Sequence, residues 1–395
     1  MRLAQRVSRI GESATLKVAR RAKELARQGI DVIDFGPGEP DFDSPDVAVR
    51  AARQALADGF TKYTPAAGTP ELRQALAERY ARDYGASWEA ADVAVTVGAK
   101  GALFQLALTL FEAGDEVILP TPAWVSFEEQ IRFTGAEPVT VALSAEDGFR
   151  IHADALLERI TDRTQAVLVN SPCNPTGGVI TPGDLERLAR GCAERGVVLI
   201  SDETYERFVY GDVEHASVAA LSPELADHLV LVGSFSKTYA MTGWRQGYLF
   251  APPEILKAVL NIQSHAISNP TSFAMKGALA ALEGAEEAVR TMVAEYAERR
   301  DLLIPRLNAL PGVSCEPPDG AFYAFPDVSG CYHDGMDGSV AFAEFLLEEA
   351  RVAVVPGAAF GDDAHVRISF ACSRQELTGG LERIAEALGS AVPRV

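Results

Sequence analysis

A lysine with no acidic neighbour in its segment offers the clearest start for chemistry: Lys237 in Gly233-Ser234-Phe235-Ser236-Lys237-Thr238-Tyr239. It follows an apolar run, Leu229–Ser234, and small hydroxyl residues stand around it. Held neutral by burial and neighbouring cations, such an amine becomes a nucleophile or a Schiff-base former. Only seven of the 36 basic residues are lysines, so few amines compete for the role. Position alone favours an ordinary surface-loop lysine.

Other run ends bring complementary groups. Thr96-Val97-Gly98-Ala99-Lys100-Gly101 passes from a strand pattern into a helical one through small residues, and the free amides of a helix start suit a phosphate. It is not the GxxxxGK[ST] phosphate loop, and taken alone it marks only a tight turn. Asn174 sits in a proline-stiffened loop, Asn170-Ser171-Pro172-Cys173-Asn174-Pro175-Thr176-Gly177. Ser201-Asp202-Glu203-Thr204-Tyr205 ends a further apolar run in a carboxylate and a phenol, and an Asp in such a place often serves as a helix cap.

The elements that must position these groups follow from periodicity. Apolar, β-branched runs at Asp92–Gly98, Glu116–Pro120, Glu137–Ala142, Ala166–Asn170, Val197–Asp202, Leu229–Ser234 and Gly247–Ala251 read as seven strands. Helical segments lie between several of them, including Ala99–Phe111 and Thr181–Arg195, and an alanine-rich helical stretch follows at Leu279–Asn308. Continuous apolar strands alternating with helices imply an α/β fold with a mainly parallel sheet covered on both faces, where ligands gather at the strand carboxyl ends. Beyond residue 310, Ala321–Pro326, Val352–Pro356 and Val366–Phe370 read as strands, with helices near 339–350 and 374–388. This predicts a smaller α+β domain on which the first 44 residues pack: 1–44 and 291–395 belong to it, and 45–290 form the large domain.

At 395 residues, 48% hydrophobic and 23% charged, the chain fits a large soluble protein of two or three domains. Its net charge of −19 disfavours nucleic acid and anionic membranes as partners, so any anionic ligand needs a local basic site. Residues 1–28 carry +6 of that balance, which suggests either an organelle transit peptide or a capped helix from Ser13 with Leu16, Ala19, Ala22 and Leu25 facing a core. The helix is the preferred expectation. No apolar run reaches the ~18 residues of a membrane span. Five widely spaced cysteines without a CxxC pair, and six histidines without HExxH, indicate free thiols, no metal site and a cytoplasmic protein.

Taken jointly, these segments resemble the class I aminotransferases of pyridoxal-phosphate fold type I, in particular bacterial aspartate aminotransferases. The resemblance runs from about Ser8 to the end. Besides the motifs already given, it is carried by Gly38-Glu39-Pro40-Asp41-Phe42-Asp43, Lys62-Tyr63-Thr64-Pro65-Ala66-Ala67-Gly68, Pro122-Ala123-Trp124-Val125-Ser126, Met241-Thr242-Gly243-Trp244-Arg245 and Gly320-Ala321-Phe322-Tyr323.

The resemblance implies pyridoxal 5'-phosphate as cofactor, with Lys237 as Schiff-base lysine and proton shuttle. It implies that Asp202 pairs with the pyridinium nitrogen and that Asn174 and Tyr205 bond the phenolic oxygen, while Trp124 stacks on the ring. Gly98, Ala99, Lys100, Ser234 and Arg245 match the phosphate cup, and Tyr63 matches a tyrosine reaching the neighbouring subunit's phosphate, which implies a homodimer with composite sites. Arg367, with Gly38 and Asn174, is implied to clamp the substrate α-carboxylate. Strand alternation turns Arg367 away from the Val366 and Ile368 face.

The implied activity is ping-pong transfer of an amino group from an L-amino acid to a 2-oxo acid, 2-oxoglutarate fitting best, with aspartate the first donor considered. Against aspartate, Leu108 offers no cation for a distal carboxylate on the helix 101–111, and Glu12 lies near where relatives place basic residues. Ala123 replaces a frequent tyrosine, which widens the expected pocket. Neutral or aromatic donors, a lyase or oxidase of the same fold and, remotely, a non-catalytic ligand sensor stand as alternatives.

Overall fold

The computed structural model describes residues 3–11, 20–22, 24, 25 and 27–391. After β1 (Ile33–Asp34), the chain builds a sheet from β2 (Val93–Thr96), β3 (Glu116–Thr121), β4 (Glu137–Ala142), β5 (Thr164–Asn170), β6 (Val198–Asp202), β7 (Leu229–Ser234) and β8 (Gly247–Phe250). These seven strands lie in the order β2-β8-β7-β6-β5-β3-β4, and every neighbouring pair is parallel except the two made by β8.

The strands read as continuous apolar runs because both faces are covered. On β5, Val167 and Val169 enter one core while Ala166 and Leu168 enter the other, and on β7 Leu229 and Leu231 oppose Val230 and Val232 in the same way. Helices Pro70–Tyr84, Pro182–Ala193 and Ser272–Gly284 close the first face; Gly98–Leu110 and Pro253–Ala266 close the second. Thr181 starts one of them by accepting from the Asp184 amide at 3.1 Å, with Pro182 at the first helical position.

A separate core is gathered by β9 (Tyr323–Ala324), β10 (Val352–Ala353) and β12 (Val366–Ser369) with helix Arg374–Ala391, while β11 (Val355–Pro356) packs through Val355 on Phe149, Phe325 and Phe360. Two expectations change here. The single strand Val352–Pro356 divides, since β10 pairs in parallel with β1 whereas β11 pairs antiparallel with β12, Val355 opposite Arg367. An apolar run buried on all sides does not declare which neighbour each half takes. The helical stretch 279–308 is two helices, Ser272–Gly284 and Glu286–Leu307. The first packs on Asp46–Ala57; the second crosses from Val289 in the large core to Tyr296 and Leu303 in the small one, so the axis must break.

The first 44 residues also divide. β1 joins β10, but the short helix Gln5–Arg9 lies against helix Ser126–Thr134 of the large sheet's layer, where the Gly11 amide donates to Glu129 at 2.9 Å. Glu12, Ser13, Leu16 and Ala19 lie outside the described residues. Ala22 and Leu25 are buried against Leu347 and Ala353, and Arg21 pairs with Glu348 at 2.9 Å, as a core-facing helix requires. Among the described residues no helix is long and apolar enough to cross a membrane.

Candidate active site

The carboxyl ends of β2, β5, β6 and β7 meet the small domain around a cavity of about 570 Å³. Into it the fold brings Gly38, Ala99, Lys100, Trp124, Asn174, Asp202, Tyr205, Ser234, Lys237, Arg245 and Arg367. Two residues named from the sequence stand apart. Gly98 begins the adjoining helix, where a Cβ would come 2.5 Å from Arg245 Nη2; its φ of +71° favours glycine in any case. Tyr63 does not line the cavity and is 87% exposed.

Lys237 stands on the single turn Phe235–Thr238 directly after β7, a turn capped by Ser234 Oγ accepting from the Ser236 amide at 3.1 Å. Its Nζ donates to the Gly38 carbonyl. Burial pushes this amine down to about 8; Glu39 opposes the shift, whereas Arg367, Arg245 and Lys100 reinforce it.

Asp202 ends β6 beside Asn170 at the end of β5, whose Nδ2 donates to the Asp202 carbonyl at 3.0 Å. The Asp202 carboxylate accepts from the Thr204 amide at 3.0 Å, yet burial pushes it up to about 6. That bond and Lys237 oppose the rise, while Glu203 adds to it. The carboxylate therefore gains from a further cation placed against it. No helix directly follows β6, so Asp202 closes a turn through the Thr204 amide rather than capping a helix, and it faces the cavity.

Arg367 projects from β12 as strand alternation requires, with Val366 and Ile368 turned into the small core. It is 4% exposed; Nη1 donates to Asn174 Oδ1 at 3.0 Å and Nη2 to the Gly36 carbonyl at 2.6 Å. Nε has no hydrogen-bond partner. Among the described residues no carboxylate lies within ion-pair distance of Arg367, Arg245 or Lys100. A buried guanidinium without a carboxylate is costly, so a site of this kind is completed by an anionic ligand.

Arg245 adopts the left-handed conformation at φ 54° and donates to the Thr242 carbonyl at 2.8 Å, beside the start of helix Gly98–Leu110. Helix start, guanidinium and Ser234 adjoin at this end of the cavity, an arrangement suited to an anion. Lys100 lines the cavity with Nζ 4.6 Å above the Trp124 ring, and burial, then Arg245, lowers its pKa.

Several lining residues had no role assigned from the sequence. The Tyr323 hydroxyl is 2.7 Å from that of Tyr205, and the Tyr323 ring lies 4.5 Å from the Arg367 guanidinium. Asn170 Oδ1 accepts from the Asn174 amide at 2.9 Å. Ser236, Thr204, Thr242 and Glu39 also line the cavity. All six lie inside the sequence motifs given above, which is the signal the sequence offers for them. Leu108 lies in a surface hollow with Ala4, Arg6, Arg9 and Phe133, and Ala123 lies in a narrow hollow with Phe127 and Cys173. Neither side chain lines the main cavity.

The fold and this convergence of an amine, a buried carboxylate and three cations with no carboxylate partner among the described residues define an α/β enzyme with a site suited to anions. The family model for aminotransferase class I and II matches residues 30–384. A protein of Aquifex aeolicus named "Probable aspartate/prephenate aminotransferase" is 45% identical, with 98% of each chain covered. The "Aspartate aminotransferase" of Geobacillus stearothermophilus is 44% identical over 97% of this chain and 98% of its own. The solved structure "aspartate aminotransferase from Thermus thermophilus with maleate" superimposes with a TM-score of 0.92 at 43% identity, covering 98% of this chain and 100% of that one. The chain belongs to the class I and II aminotransferase family, and it has the fold type I architecture.

Proposed function

We propose that this aminotransferase uses pyridoxal 5'-phosphate, with aspartate as amino donor and 2-oxoglutarate as acceptor, in a homodimer. The carrying observation is one cavity holding a buried amine near pKa 8 and a buried guanidinium without a carboxylate. When bound, the cofactor supplies an electrophilic carbon for the amine and a ring that withdraws electrons from the substrate α-carbon.

The chain's own groups divide the remaining work. Arg245, Ser234 and the amides of Gly98 and Ala99 would hold the phosphate. Asp202 would keep a proton on the ring nitrogen, with which its own ionised form is mutually stabilised. Asn174 and Tyr205 would orient the phenolic oxygen, and Trp124 the ring face. Lys237 would take the proton from the substrate α-carbon and return it two bonds away, across the bridging nitrogen. Arg367 would clamp the α-carboxylate of donor and acceptor in turn, because with Arg245 given to the phosphate it is the guanidinium left in the cavity lining.

Lys100 supports a dicarboxylate. Assigning Arg245 to phosphate and Arg367 to the α-carboxylate leaves its ammonium, beside Trp124, for the distal carboxylate rather than for the phosphate cup. Tyr63, the most exposed large hydrophobic among the described residues, suits insertion into a partner's site. All five cysteines are free thiols, which favours the reducing cytoplasm.

A spectral screen tests the substrate assignment: aspartate and glutamate should convert the cofactor absorbance in a single turnover far faster than alanine or phenylalanine. Lys100→Met should raise KM for aspartate and 2-oxoglutarate about 10- to 100-fold while leaving alanine within about twofold, the signature of a lost ion pair. Equal losses for all donors would refute the distal-carboxylate role.

The lowered pKa is testable without substrate. In cofactor-free protein, the rate of Lys237 modification by an amine-selective reagent should rise through a midpoint near pH 8. At pH 7 about a tenth of this amine is neutral, against about one in 3,000 for an ordinary lysine. Because the folded pKa lies below the unfolded one, stability relative to Lys237→Met should increase as pH rises from about 8 towards 10.5.

A further inference from the structure

The loop from Gly36 to Ser44 lies across the mouth of the cavity, and its backbone meets both reacting ends. The Gly36 carbonyl accepts from Arg367, and the Gly38 carbonyl accepts from Lys237. Gly38 is tightly placed, since a Cβ there would come 2.8 Å from the Tyr323 hydroxyl. At its far end, Ser44 Oγ donates to the Ala240 carbonyl at 2.8 Å and accepts from Trp244 Nε1 at 2.9 Å. Those bonds tie the strap to the large domain.

Towards the small domain, besides the Arg367 bond to Gly36 and the contact of Phe42 with Tyr296, the strap is held by Asp41. Asp41 Oδ1 accepts from Arg299 Nη1 at 2.8 Å and from the Tyr296 hydroxyl at 3.0 Å, and the Asp41 amide points back to that hydroxyl at 3.3 Å. Arg299 is 6% exposed and lies 5.5 Å from the Phe42 ring and 5.2 Å from the Tyr296 ring. Its Nε donates to Glu295 at 2.9 Å, and Glu295 receives Arg374 of the last helix at 2.6 Å. Arg299 Nη1 also approaches the Phe370 carbonyl, at 3.5 Å, just past the strand that carries Arg367.

We propose that Asp41, Tyr296 and Arg299 form a clasp that sets the position of the Gly36–Ser44 strap against the Arg367 strand and thereby the affinity for carboxylate substrates. The three are positioning residues, acting through Gly36, Gly38 and Arg367. Helix Glu286–Leu307, which carries both Tyr296 and Arg299, is the element that spans the two cores. A shift of the small domain along it is therefore transmitted to the strap through a pairing buried at Arg299. The inference rests on the assignment of Arg367 to the substrate carboxylate.

The test uses the holoenzyme with Asp41→Asn, Tyr296→Phe, Arg299→Met and Arg299→Lys, and Glu298→Gln as an exposed control in the same ion cluster. Steady-state kinetics give KM and kcat, and thermal-shift titration with maleate gives affinity without turnover. Asp41→Asn and Arg299→Met should raise KM for both substrates and the maleate Kd about tenfold, with kcat within about threefold, as expected for a misplaced binding group. Tyr296→Phe should fall between, Arg299→Lys should recover part of the loss, and Glu298→Gln should change neither. Lower melting temperatures with unchanged KM and maleate Kd would overturn the clasp and leave only a structural ion pair. If Arg299→Met does not fold, Asp41→Asn and Tyr296→Phe decide the matter. Wild-type protein that neither retains the cofactor absorbance nor responds to maleate would instead refute the parent assignment.

Discussion

Lys237→Ala is expected to lower transamination by about 10⁴-fold or more, because it removes both the covalent attachment and the group that moves the α-carbon proton. The protein should still fold, since the amine makes one bond to a carbonyl and contributes nothing to either core. The cofactor's protein-linked absorbance should vanish while Asp202, Arg245 and the helix start still retain the phosphate compound weakly. Measuring the spectrum and single turnovers of the variant checks both parts. Turnover at the wild-type rate would remove Lys237 from the mechanism.

Arg367→Gln is expected to lower kcat/KM for aspartate and 2-oxoglutarate on the order of 10²- to 10³-fold, the effect of losing one partner of a buried charge pair. Arg367→Lys should recover only part of it, because an ammonium cannot hold Asn174, the Gly36 carbonyl and a carboxylate in the planar arrangement a guanidinium allows. Stability should respond in the opposite sense. Without a carboxylate beside it, the buried cation is a burden to the ligand-free fold, so Arg367→Gln should hold or raise the melting temperature of ligand-free protein. A fall comparable to loss of a core residue would show that Arg367 is mainly structural.

These two effects differ in origin, and so did the legibility of the residues behind them. Lys237 was visible because a strand end, a run of small hydroxyl residues and a shortage of other lysines are all local properties. Asp202 and Asn174 were visible for the same reason: strands of a parallel sheet put their last residues on one edge. Arg367 was legible from alternation alone as facing away from Val366 and Ile368. That it is buried without a carboxylate could not be read there, since Asn174 and Gly36 are 193 and 331 residues distant in the chain.

Neighbourhood along the chain does not place Leu108 and Ala123: helix rotation carries Leu108 to the surface near Arg9, and Ala123 packs in one cluster with Phe127. Lys100, eight positions before Leu108, is the cation that the helix start points into the cavity.

Local pattern therefore determined the class of fold, the seven strands of the large sheet and the chemical identity of the groups at their ends, because burial on two faces imposes continuous apolar runs and parallel order imposes a common edge. Tertiary structure alone decided which cations lack carboxylate partners, how far burial moves Lys237 and Asp202, and how the Gly36–Ser44 strap is clasped. Those properties depend on groups far apart in sequence, and on the desolvation that only their packing together creates.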